Sequence, residues 1–284
     1  MLLITGVSGG LGGLAAGHAA GRADVLLGTR SPGTGPAVRR TPGPDARPAV
    51  RRVDFDDPAS LRDAFTGVRT LLLVSAGYGE DDVVTARHGA AIDAAERAGV
   101  RHVVYTSLSG DGDHLPYALP HRWTERRLRE STLAWTVLRN GLYAELLALL
   151  AAPDADGRIT APLGDGAVAA VARADLAEAA FRVADAPQAH AGRVYELVGE
   201  VPLGGADLAA AVSGTYEPGG PLAATRAGIA ASGAAPFQVP MLTGTYSAIA
   251  HGFLDGRGVP GGHLRELLGR APRPALDVYA GAVG

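Results

Sequence analysis

The hydrophobic pattern of the first half of the chain alternates between short apolar runs and longer amphipathic segments. Continuous apolar runs such as 70–75 are typical of parallel strands covered by helices on both faces. Strands that alternate with helices over short connections predict a Rossmann fold, an α/β doubly wound parallel sheet that binds ligands at the carboxyl ends of its strands. The predicted strands of this half are 2–4, 25–27, 49–55, 70–75, 100–107 and 133–139.

From residue 151 onwards the pattern is less regular. We expect residues 1–150 to form an NAD(P)-binding Rossmann domain, with short strands near 168–171 and 193–197 returning to it. Residues 151–284 are expected to form mainly a smaller α/β region that binds the substrate. The predicted helices of this second half are 173–183, 205–212, 222–231 and 242–254.

A glycine-rich turn follows the first predicted strand directly. Its spacing is Gly6-x-x-Gly9-x-x-Gly12, and the missing Cβ atoms let backbone N–H groups and a helix N-terminus approach a pyrophosphate. Because the chain contains 40 glycines, the spacing carries weight only through its position between a strand and a helix. This turn predicts dinucleotide binding by Gly6, Ser8, Gly9, Gly10, Leu11 and Gly12.

The end of the second predicted strand indicates which dinucleotide binds. NAD enzymes usually place an acidic residue there to accept from a ribose hydroxyl, whereas this chain has Arg30. The planar, permanently charged guanidinium matches a phosphate, so NADP is the expected cofactor and NAD the alternative. A solvated surface arginine is the competing interpretation. Further cofactor-binding residues are predicted after later strands, at Asp54, Phe55, Val74, Ser75, Thr106 and Ser107.

Composition excludes several kinds of chemistry. The chain has no cysteine, and all 26 of its Lys-or-Arg positions are arginine, which rules out disulfides, thiolate nucleophiles, Schiff bases and a Tyr-x-x-x-Lys dyad. A net charge of −3 gives no indication of a nucleic-acid or anionic membrane partner. No apolar span is long enough to cross a bilayer and no leader precedes the first strand, so we expect a cytoplasmic protein. The histidines lack metal-ligand spacing, and no metal site is assigned.

Several longer motifs then suggest a family. They are Tyr105-Thr106-Ser107, Leu138-Arg139-Asn140-Gly141-x-Tyr143-x-Glu145, Gly164-Asp165-Gly166 followed by Arg173-Ala174-Asp175, and Gly269-Arg270. With these motifs the chain resembles, along nearly its whole length, the NmrA-like branch of the atypical short-chain dehydrogenase/reductases, and within it the type 2 NAD(P)H:quinone oxidoreductases. The resemblance implies a Rossmann domain, NADPH, and a small C-terminal domain that closes over quinone-like substrates.

One departure from the family concerns proton donation. The relatives tend to carry a lysine after the Thr-Glu pair, and here Thr124-Glu125 is followed by Arg126, a very poor proton donor. Tyr117 with His121 four residues later is a candidate substitute for the missing Tyr-x-x-x-Lys dyad. Reduction of a quinone yields an aromatic product, so a hydride plus a proton from Tyr117, His121 or water could suffice.

Asn140 and Tyr143 follow the sixth predicted strand. They could face the nicotinamide or the substrate, or they could instead brace the domain junction. The predicted catalytic residues are therefore Tyr117, His121, Asn140 and Tyr143. His88, inside a predicted helix, is interpreted mainly as structural or surface-exposed.

Three functions are compatible with these residues. The first is an NADPH-dependent oxidoreductase that reduces quinone-like or polycyclic aromatic substrates. The second is a tailoring enzyme of aromatic polyketide biosynthesis, acting by epoxyquinone or hydroquinone reduction or by net oxygenation. The third is a non-catalytic redox sensor of the NmrA type. The expected partner is a small-molecule, quinone-like substrate, and whether the chain forms a homodimer is left open.

Overall fold

The fold is given by a computed structural model that describes residues 1–32, 48–76, 79–110 and 115–284. A 3₁₀ turn at Pro187–His190 separates two of its regular elements. The strands and helices in chain order are β1 (Leu2–Ile4), α1 (Gly10–Gly17), β2 (Val25–Thr29), β3 (Ala49–Arg52), α2 (Pro58–Phe65), β4 (Thr70–Leu73), α3 (Asp81–Ala98), β5 (His102–Leu108), α4 (Ala118–Arg129), β6 (Ala134–Asn140), α5 (Ala144–Leu150), β7 (Arg158–Ala161), β8 (Ala167–Val168), α6 (Arg173–Asp185), β9 (Val194–Leu197), β10 (Leu203–Gly204), α7 (Gly205–Ala211), β11 (Thr215–Pro218), α8 (Leu222–Ala231), α9 (Gln238–Ala250), α10 (His263–Leu268) and α11 (Ala275–Val283).

A seven-stranded sheet dominates the fold, with the strand order β3-β2-β1-β4-β5-β6-β9. Strand β1 lies parallel to β2 and to β4, and these are parallel to β3 and β5. The chain runs outward from β1 to β3 and then continues on the other side of β1 with β4. This reversal places the ligand crevice of such a sheet at the carboxyl ends of β1 and β4. The predicted doubly wound α/β sheet is confirmed.

The chain divides into two compact units, each assembled from three segments. The first comprises Met1–Ser107, Pro120–Arg139 and Leu176–Tyr195, and the second comprises Leu108–Leu119, Asn140–Asp175 and Glu196–Gly284. These bounds differ from a single division at residue 150, because helix α6 returns the chain to the large sheet as strand β9. The other strand expected to return lies elsewhere, since β8 pairs antiparallel with β10 in a separate two-stranded sheet.

The central strands of the first unit are buried, whereas the edge strand β3 has exposed and half-buried side chains. Every residue of β2, β4 and β5 is buried, as expected for strands covered on both faces. Helix α2 begins after Asp57, whose carboxylate accepts from the backbone N–H groups of Ala59 and Ser60, and Pro58 occupies the first helical position. Helix α3 ends at Gly99 in the left-handed conformation, with φ 70°.

The second unit has a core of its own between short strands and helices. Strand β7 pairs in parallel with β11, and the apolar faces of α5, α7, α9 and α11 surround them. A buried carboxylate, Asp175 at the start of α6, accepts hydrogen bonds from the side chains of Arg270 and Arg273 and from the backbone N–H of Arg273. This contact links two of the family motifs, Arg173-Ala174-Asp175 and Gly269-Arg270.

Two helices begin earlier than the sequence predicted. The sequence predicts a charged helix at 121–130, and the observed helix α4 starts at Ala118. Helix α9 starts at Gln238 instead of residue 242. Both have a proline at their third position, Pro120 and Pro240, where the missing N–H would have no helical partner in any case. Strand β3 ends at Arg52, three residues before the predicted end. No helix in the described ranges is long and apolar enough to cross a membrane.

Candidate active site

The turn between β1 and α1 is too tight for a side chain at some of its glycines. Gly6 has φ 67°, a conformation that favours glycine, and a Cβ at position 12 would lie 2.3 Å from the carbonyl oxygen of Gly6. A Cβ at Gly9 would also lie 3.3 Å from that oxygen. Gly6 and Gly12 are therefore required by the backbone itself, whereas a Cβ at Gly9 would need only a small shift of its neighbour.

The same turn offers N–H groups at its surface. Helix α1 has Gly9 as its N-cap with no side-chain cap and no acidic residue in its first turn. First-turn N–H groups have no partner inside a helix, and here no carboxylate competes for them. Ser8, Gly9 and Gly10 are exposed, while Leu11 is buried and anchors the helix. These features fit the pyrophosphate of a dinucleotide.

Hydroxyl groups join the carboxyl ends of β1, β4 and β5. The Thr5 hydroxyl donates to the carbonyl oxygen of Leu72 at 3.2 Å and accepts from the Val74 N–H at 3.0 Å. The Ser75 N–H donates to the Thr106 hydroxyl at 2.9 Å. A Cβ at Gly6 would lie 3.5 Å from that of Val74, so the glycine turn and the end of β4 are neighbours. Four predicted cofactor-binding residues thus meet at this edge.

Arg30 lies beyond β2 with its side chain exposed. Among the described residues its guanidinium has no hydrogen-bond or ion-pair partner within 4 Å. Arg87 holds the Asp56 carboxylate through two bonds of 2.7 Å. Arg87 first and Arg30 second lower the pKa of Asp56, and Asp54 also acts on Arg87. Arg30 is therefore close enough to act on Asp56, and its exposed guanidinium suits a phosphate.

Asp54 and Phe55, two of the predicted cofactor-binding residues, lie in the turn after β3. An adenine amino group is the predicted partner of Asp54, with a plain turn acid as the alternative. The Asp54 carboxylate pairs with Arg52 at 2.9 Å and accepts from the Asp56 N–H at 3.2 Å. Phe55 is partly buried against the core of the first unit. The Asp54 carboxylate also organises its own turn, and its adenine contact stays a prediction.

A buried polar network lies beneath the ends of β4 and β5. His88 of α3 is fully buried, with Nε2 3.0 Å from the Ala76 N–H and Nδ1 2.8 Å from the Thr124 hydroxyl. Burial lowers the pKa of His88 to about 3, with further contributions from His121 and Arg87. The imidazole is therefore neutral, and it holds the Ser75-Ala76 backbone against α3 and α4.

His121 contacts Tyr105 and not Tyr117 within this network. The buried Tyr105 hydroxyl lies 2.8 Å from Nδ1 of His121. Burial first and Arg122 second lower the pKa of His121 to about 4, against an opposing contribution from Glu125. Tyr117, in the turn before α4, instead directs its hydroxyl to Thr245 at 3.2 Å. The hydrogen-bond partner of His121 is Tyr105 and that of Tyr117 is Thr245, so the four-residue spacing did not predict the partner of either residue.

Ser107 belongs to a second buried group, centred on Glu125. The Ser107 hydroxyl donates to Glu125 at 2.7 Å, and the carboxylate also binds Arg122, Arg129 and Arg139. Burial raises the pKa of Glu125, but the Arg139 and Ser107 hydrogen bonds with the charges of Arg139 and Arg122 outweigh it and hold the pKa below its usual range. Arg126, which replaces the relatives' lysine, is exposed on the same helix.

Asn140 and Tyr143 lie in the second unit. The Asn140 side chain is buried, and its Oδ1 has no hydrogen-bond partner among the described residues. Tyr143 stacks against Arg173, with the guanidinium carbon 4.7 Å from the ring centre. Burial, reinforced by the nearby Tyr143, raises the pKa of Tyr117 although the Thr245 hydrogen bond lowers it, so both tyrosines belong to one neighbourhood. Asn140 is left with an acceptor that a bound ligand can use.

Sequence analysis missed Tyr105 as a candidate and underestimated His88. The signal for His88 was present, because Val84, His88, Ala91 and Ala95 repeat at helical spacing and all four are buried. A histidine on the apolar face of a helix needs polar partners, which the ends of β4 and α4 supply here. Tyr105 gave no comparable signal, since any residue of a central strand is buried.

The geometry can be compared with known proteins. A model of a family described as NAD(P)H-binding matches residues 6–187, more than half of the chain. The chain belongs to this NAD(P)H-binding family. The match begins at the glycine turn and includes Arg30, His88 and His121.

Curated relatives support the resemblance that the motifs suggested. The chain is 40% identical over 151 residues to quinone oxidoreductase 2 of Escherichia coli, an alignment that covers 52% of each chain. It is 32% identical over 164 residues to the NAD(P)H azoreductase of Xenophilus azovorans, covering 56% of each chain. The chain thus spans about half the length of the curated relatives it matches. The predicted likeness to type 2 quinone oxidoreductases is confirmed.

Two solved structures match along nearly the full length. Triphenylmethane reductase of Citrobacter sp. with NADP(H) has a TM-score of 0.85 and 25% identity, covering 99% of this chain and 100% of that one. NADPH-dependent quinone oxidoreductase from Escherichia coli with NADPH has a TM-score of 0.86 and 29% identity, covering 100% of both chains.

Proposed function

We propose that this protein is an NADPH-dependent reductase of quinone-like acceptors. The proposal rests on the glycine turn after β1, where the backbone leaves no room for a Cβ, and on the positive charge of Arg30 after β2. Glycines occupy positions that admit no Cβ, and Arg30 stands where NAD enzymes place an acid. The full-length likeness to an NADPH-bound quinone oxidoreductase supports the same assignment.

The residues present fit the cofactor in several places. The N–H groups after Gly9 would hold the pyrophosphate, and Arg30, with Arg87 nearby, would hold the 2′-phosphate. Asp54 and Phe55 would contact the adenine. Val74, Ser75, Thr106 and Ser107 would line the edge of the sheet beside the nicotinamide. The bound nicotinamide supplies the hydride.

The chain's own groups then prepare the acceptor. Its carbonyl oxygen gains negative charge as the ring is reduced, so a fixed hydrogen-bond donor stabilises the product-like state. We assign that role to His121 of the first unit. Asn140, Tyr117 and Tyr143, which belong to the second unit, stay candidates for contacts with the substrate through their polar atoms and rings. Water supplies the proton that completes the hydroquinone, because every buried imidazole of this network is neutral near pH 7.

The test is single-turnover oxidation of bound NADPH, followed by its absorbance, against naphthoquinones and polycyclic quinones with and without oxygen. Rapid oxidation by a quinone without oxygen is the expected result. Oxidation that requires oxygen would favour the tailoring enzyme. Tight NADPH binding without turnover on any acceptor would favour the sensor.

Arg30→Ala tests the cofactor assignment. Loss of the guanidinium should weaken NADPH binding about 10- to 100-fold and leave NADH binding within about twofold, because only NADPH carries the 2′-phosphate. Fluorescence titration of both nucleotides measures this ratio. Arg226→Ala, an exposed arginine of α8 in the second unit, is the charge-matched control. Equal losses for NADPH and NADH would remove the argument for NADP.

A further inference from the structure

We propose that Tyr105 is a positioning residue that fixes the tautomer of His121, so that its Nε2–H is held as the hydrogen-bond donor for the acceptor's carbonyl oxygen. This inference rests on the proposed quinone reductase and names how one of its groups is prepared. The residues that carry it lie in the first unit, on β4, α3, β5 and α4.

The hydrogen bonds of His88 determine which of its ring nitrogens carries the proton. Its Nε2 lies 3.0 Å from the Ala76 N–H, which can only donate, so Nε2 must be the unprotonated nitrogen. Its Nδ1 therefore carries the proton and donates to the Thr124 oxygen at 2.8 Å. Thr124 in turn donates its own proton to the Pro120 carbonyl at 2.6 Å. The Ser75 hydroxyl lies 3.4 Å from the same Nε2 of His88, where it too can only donate.

The next group in the network is Tyr105. His88 offers it no acceptor, because Nδ1, 3.5 Å from the Tyr105 oxygen, is already protonated. The shortest contact of the Tyr105 hydroxyl is Nδ1 of His121 at 2.8 Å. The Thr124 and Ser75 hydroxyls also act on the Tyr105 hydroxyl, but its contact with Nδ1 of His121 is the short one. We infer that Tyr105 donates to His121, so that Nδ1 of His121 is unprotonated and its proton sits on Nε2.

The remaining nitrogen of His121 is available for a ligand. In the part of the chain that the structure describes, Nε2 of His121 has no hydrogen-bond partner. The ring is only partly exposed, so its orientation is set by protein contacts. A buried tyrosine thus holds an imidazole with one nitrogen occupied and the opposite N–H free to donate.

The charges around His121 keep it neutral. Tyr105 of β5, His88 of α3, and Arg122 and Glu125 of α4 face it, and burial with Arg122 lowers its pKa to about 4. The ring is therefore uncharged at neutral pH and works as a hydrogen-bond donor instead of a general acid. A neutral imidazole can polarise a carbonyl group without giving up its proton. Turnover should then be independent of pH above about pH 5.

The first experiment measures the tautomers directly in the cofactor-free protein. Long-range proton–nitrogen spectra of ¹⁵N-histidine-labelled protein at pH 7, assigned with His88→Gln and His121→Gln, distinguish the two neutral forms. We expect Nδ1–H at His88 and Nε2–H at His121. An Nδ1–H or doubly protonated His121 would overturn the proposal, whether or not the protein reduces quinones.

The second experiment removes the Tyr105 hydroxyl. In Tyr105→Phe both tautomers of His121 should appear, and kcat should fall about tenfold while KM and NADPH affinity stay within about twofold. Tyr195→Phe is the matched control, because the buried Tyr195 hydroxyl lies 2.7 Å from Nδ1 of His190 in the same unit. It should leave kcat unchanged.

Two outcomes would contradict the role of Tyr105. One is an unchanged tautomer and kcat in Tyr105→Phe, and the other is an equal loss of kcat in Tyr195→Phe, which would indicate a general effect of removing a buried hydroxyl. The tautomers need no substrate, so failure of this inference and failure of quinone reduction are read from different measurements.

Discussion

The two units of this protein differ in how completely their buried polar side chains are paired. In the first unit His88, Thr124 and Glu125 all have defined partners. Among the described residues, the buried side-chain atoms without a hydrogen-bond partner are Asn140 Oδ1 and Arg173 Nε, and both lie in the second unit.

Paired and unpaired buried groups respond differently to a ligand. An unpaired buried acceptor costs about 1–3 kcal/mol, which a substrate or cofactor donor can recover on binding. A fully paired network gains nothing from a ligand but keeps its groups oriented before binding. The described buried groups of the first unit are therefore oriented before any ligand binds, whereas Asn140 and Arg173 of the second unit keep atoms that a ligand can pair.

Acid should break the first unit, and this is the largest effect we expect. Burial is the main cause that lowers the pKa of His88 to about 3 and those of His102 and His121 to about 4, all in the first unit. Near their ordinary pKa of about 6.5 the unfolded chain binds protons that the native state refuses. The stabilisation is therefore present above pH 6.5 and is lost as the pH falls towards 4, by up to about 4 kcal/mol per pH unit for three groups.

Urea unfolding between pH 7 and pH 5 measures how the free energy of unfolding changes with pH. Tryptophan fluorescence reports unfolding of the first unit, because both tryptophans, Trp123 and Trp135, lie in it. His102→Gln should reduce the slope by about 1.4 kcal/mol per pH unit. His251→Gln, at an exposed site, is the control. A slope that His102→Gln leaves intact would show that other groups control acid unfolding.

Loss of the Glu125 charge is expected to have the next largest effect. Glu125→Gln leaves Arg122, Arg139 and the more exposed Arg129 without their shared carboxylate, and breaking such a buried pair typically costs about 3–5 kcal/mol. Urea unfolding at pH 7 measures the cost against Glu130→Gln, an exposed neighbour. A cost similar to that of the control would mean that the arginines find other partners.

The smallest expected effects come from two variants that compare a paired buried group of the first unit with an unpaired one of the second. Thr124→Val should destabilise the free protein by about 1–3 kcal/mol, since it leaves the His88 Nδ1–H unpaired. Asn140→Leu should change stability by less than about 1 kcal/mol, because it removes an atom that already lacks a partner. In Asn140→Leu the loss should instead appear as weaker binding of NADPH or quinone. Equal destabilisation by the two variants would contradict the distinction between the units.

The sequence predicted the parts of the fold that depend on local pattern. Apolar runs located the strands of the large sheet, and the glycine spacing located the turn whose backbone excludes a Cβ at Gly12. Val74, Ser75 and Thr106 were predicted because residues that follow parallel strands meet at one edge. The predicted starts of α4 and α9 come after Pro120 and Pro240, whereas both helices begin before these prolines, which the first turn tolerates.

The partners of the site residues depend on contacts that no local spacing encodes. Tyr117 and His121 are four residues apart, a helical spacing, but Tyr117 precedes the helix and bonds to Thr245, 128 residues away. His121 pairs with Tyr105, which lies on a strand. Sequence spacing identified His121 as a candidate and gave it the wrong tyrosine. Only the packing of α3 and α4 against β5 identifies the right one.

The contact of Asp175 with Arg270 and Arg273 can form only late in synthesis of the chain. It joins residues separated by 95 and 98 positions, so a nascent chain cannot close it until Arg270 and Arg273 have emerged from the ribosome. Until then Asp175 is a charged group without its counterions, at the start of a helix whose later turns belong to the first unit. The segments of the first unit end at Tyr195, whereas the second unit is completed only when its last segment, Glu196–Gly284, has been synthesised.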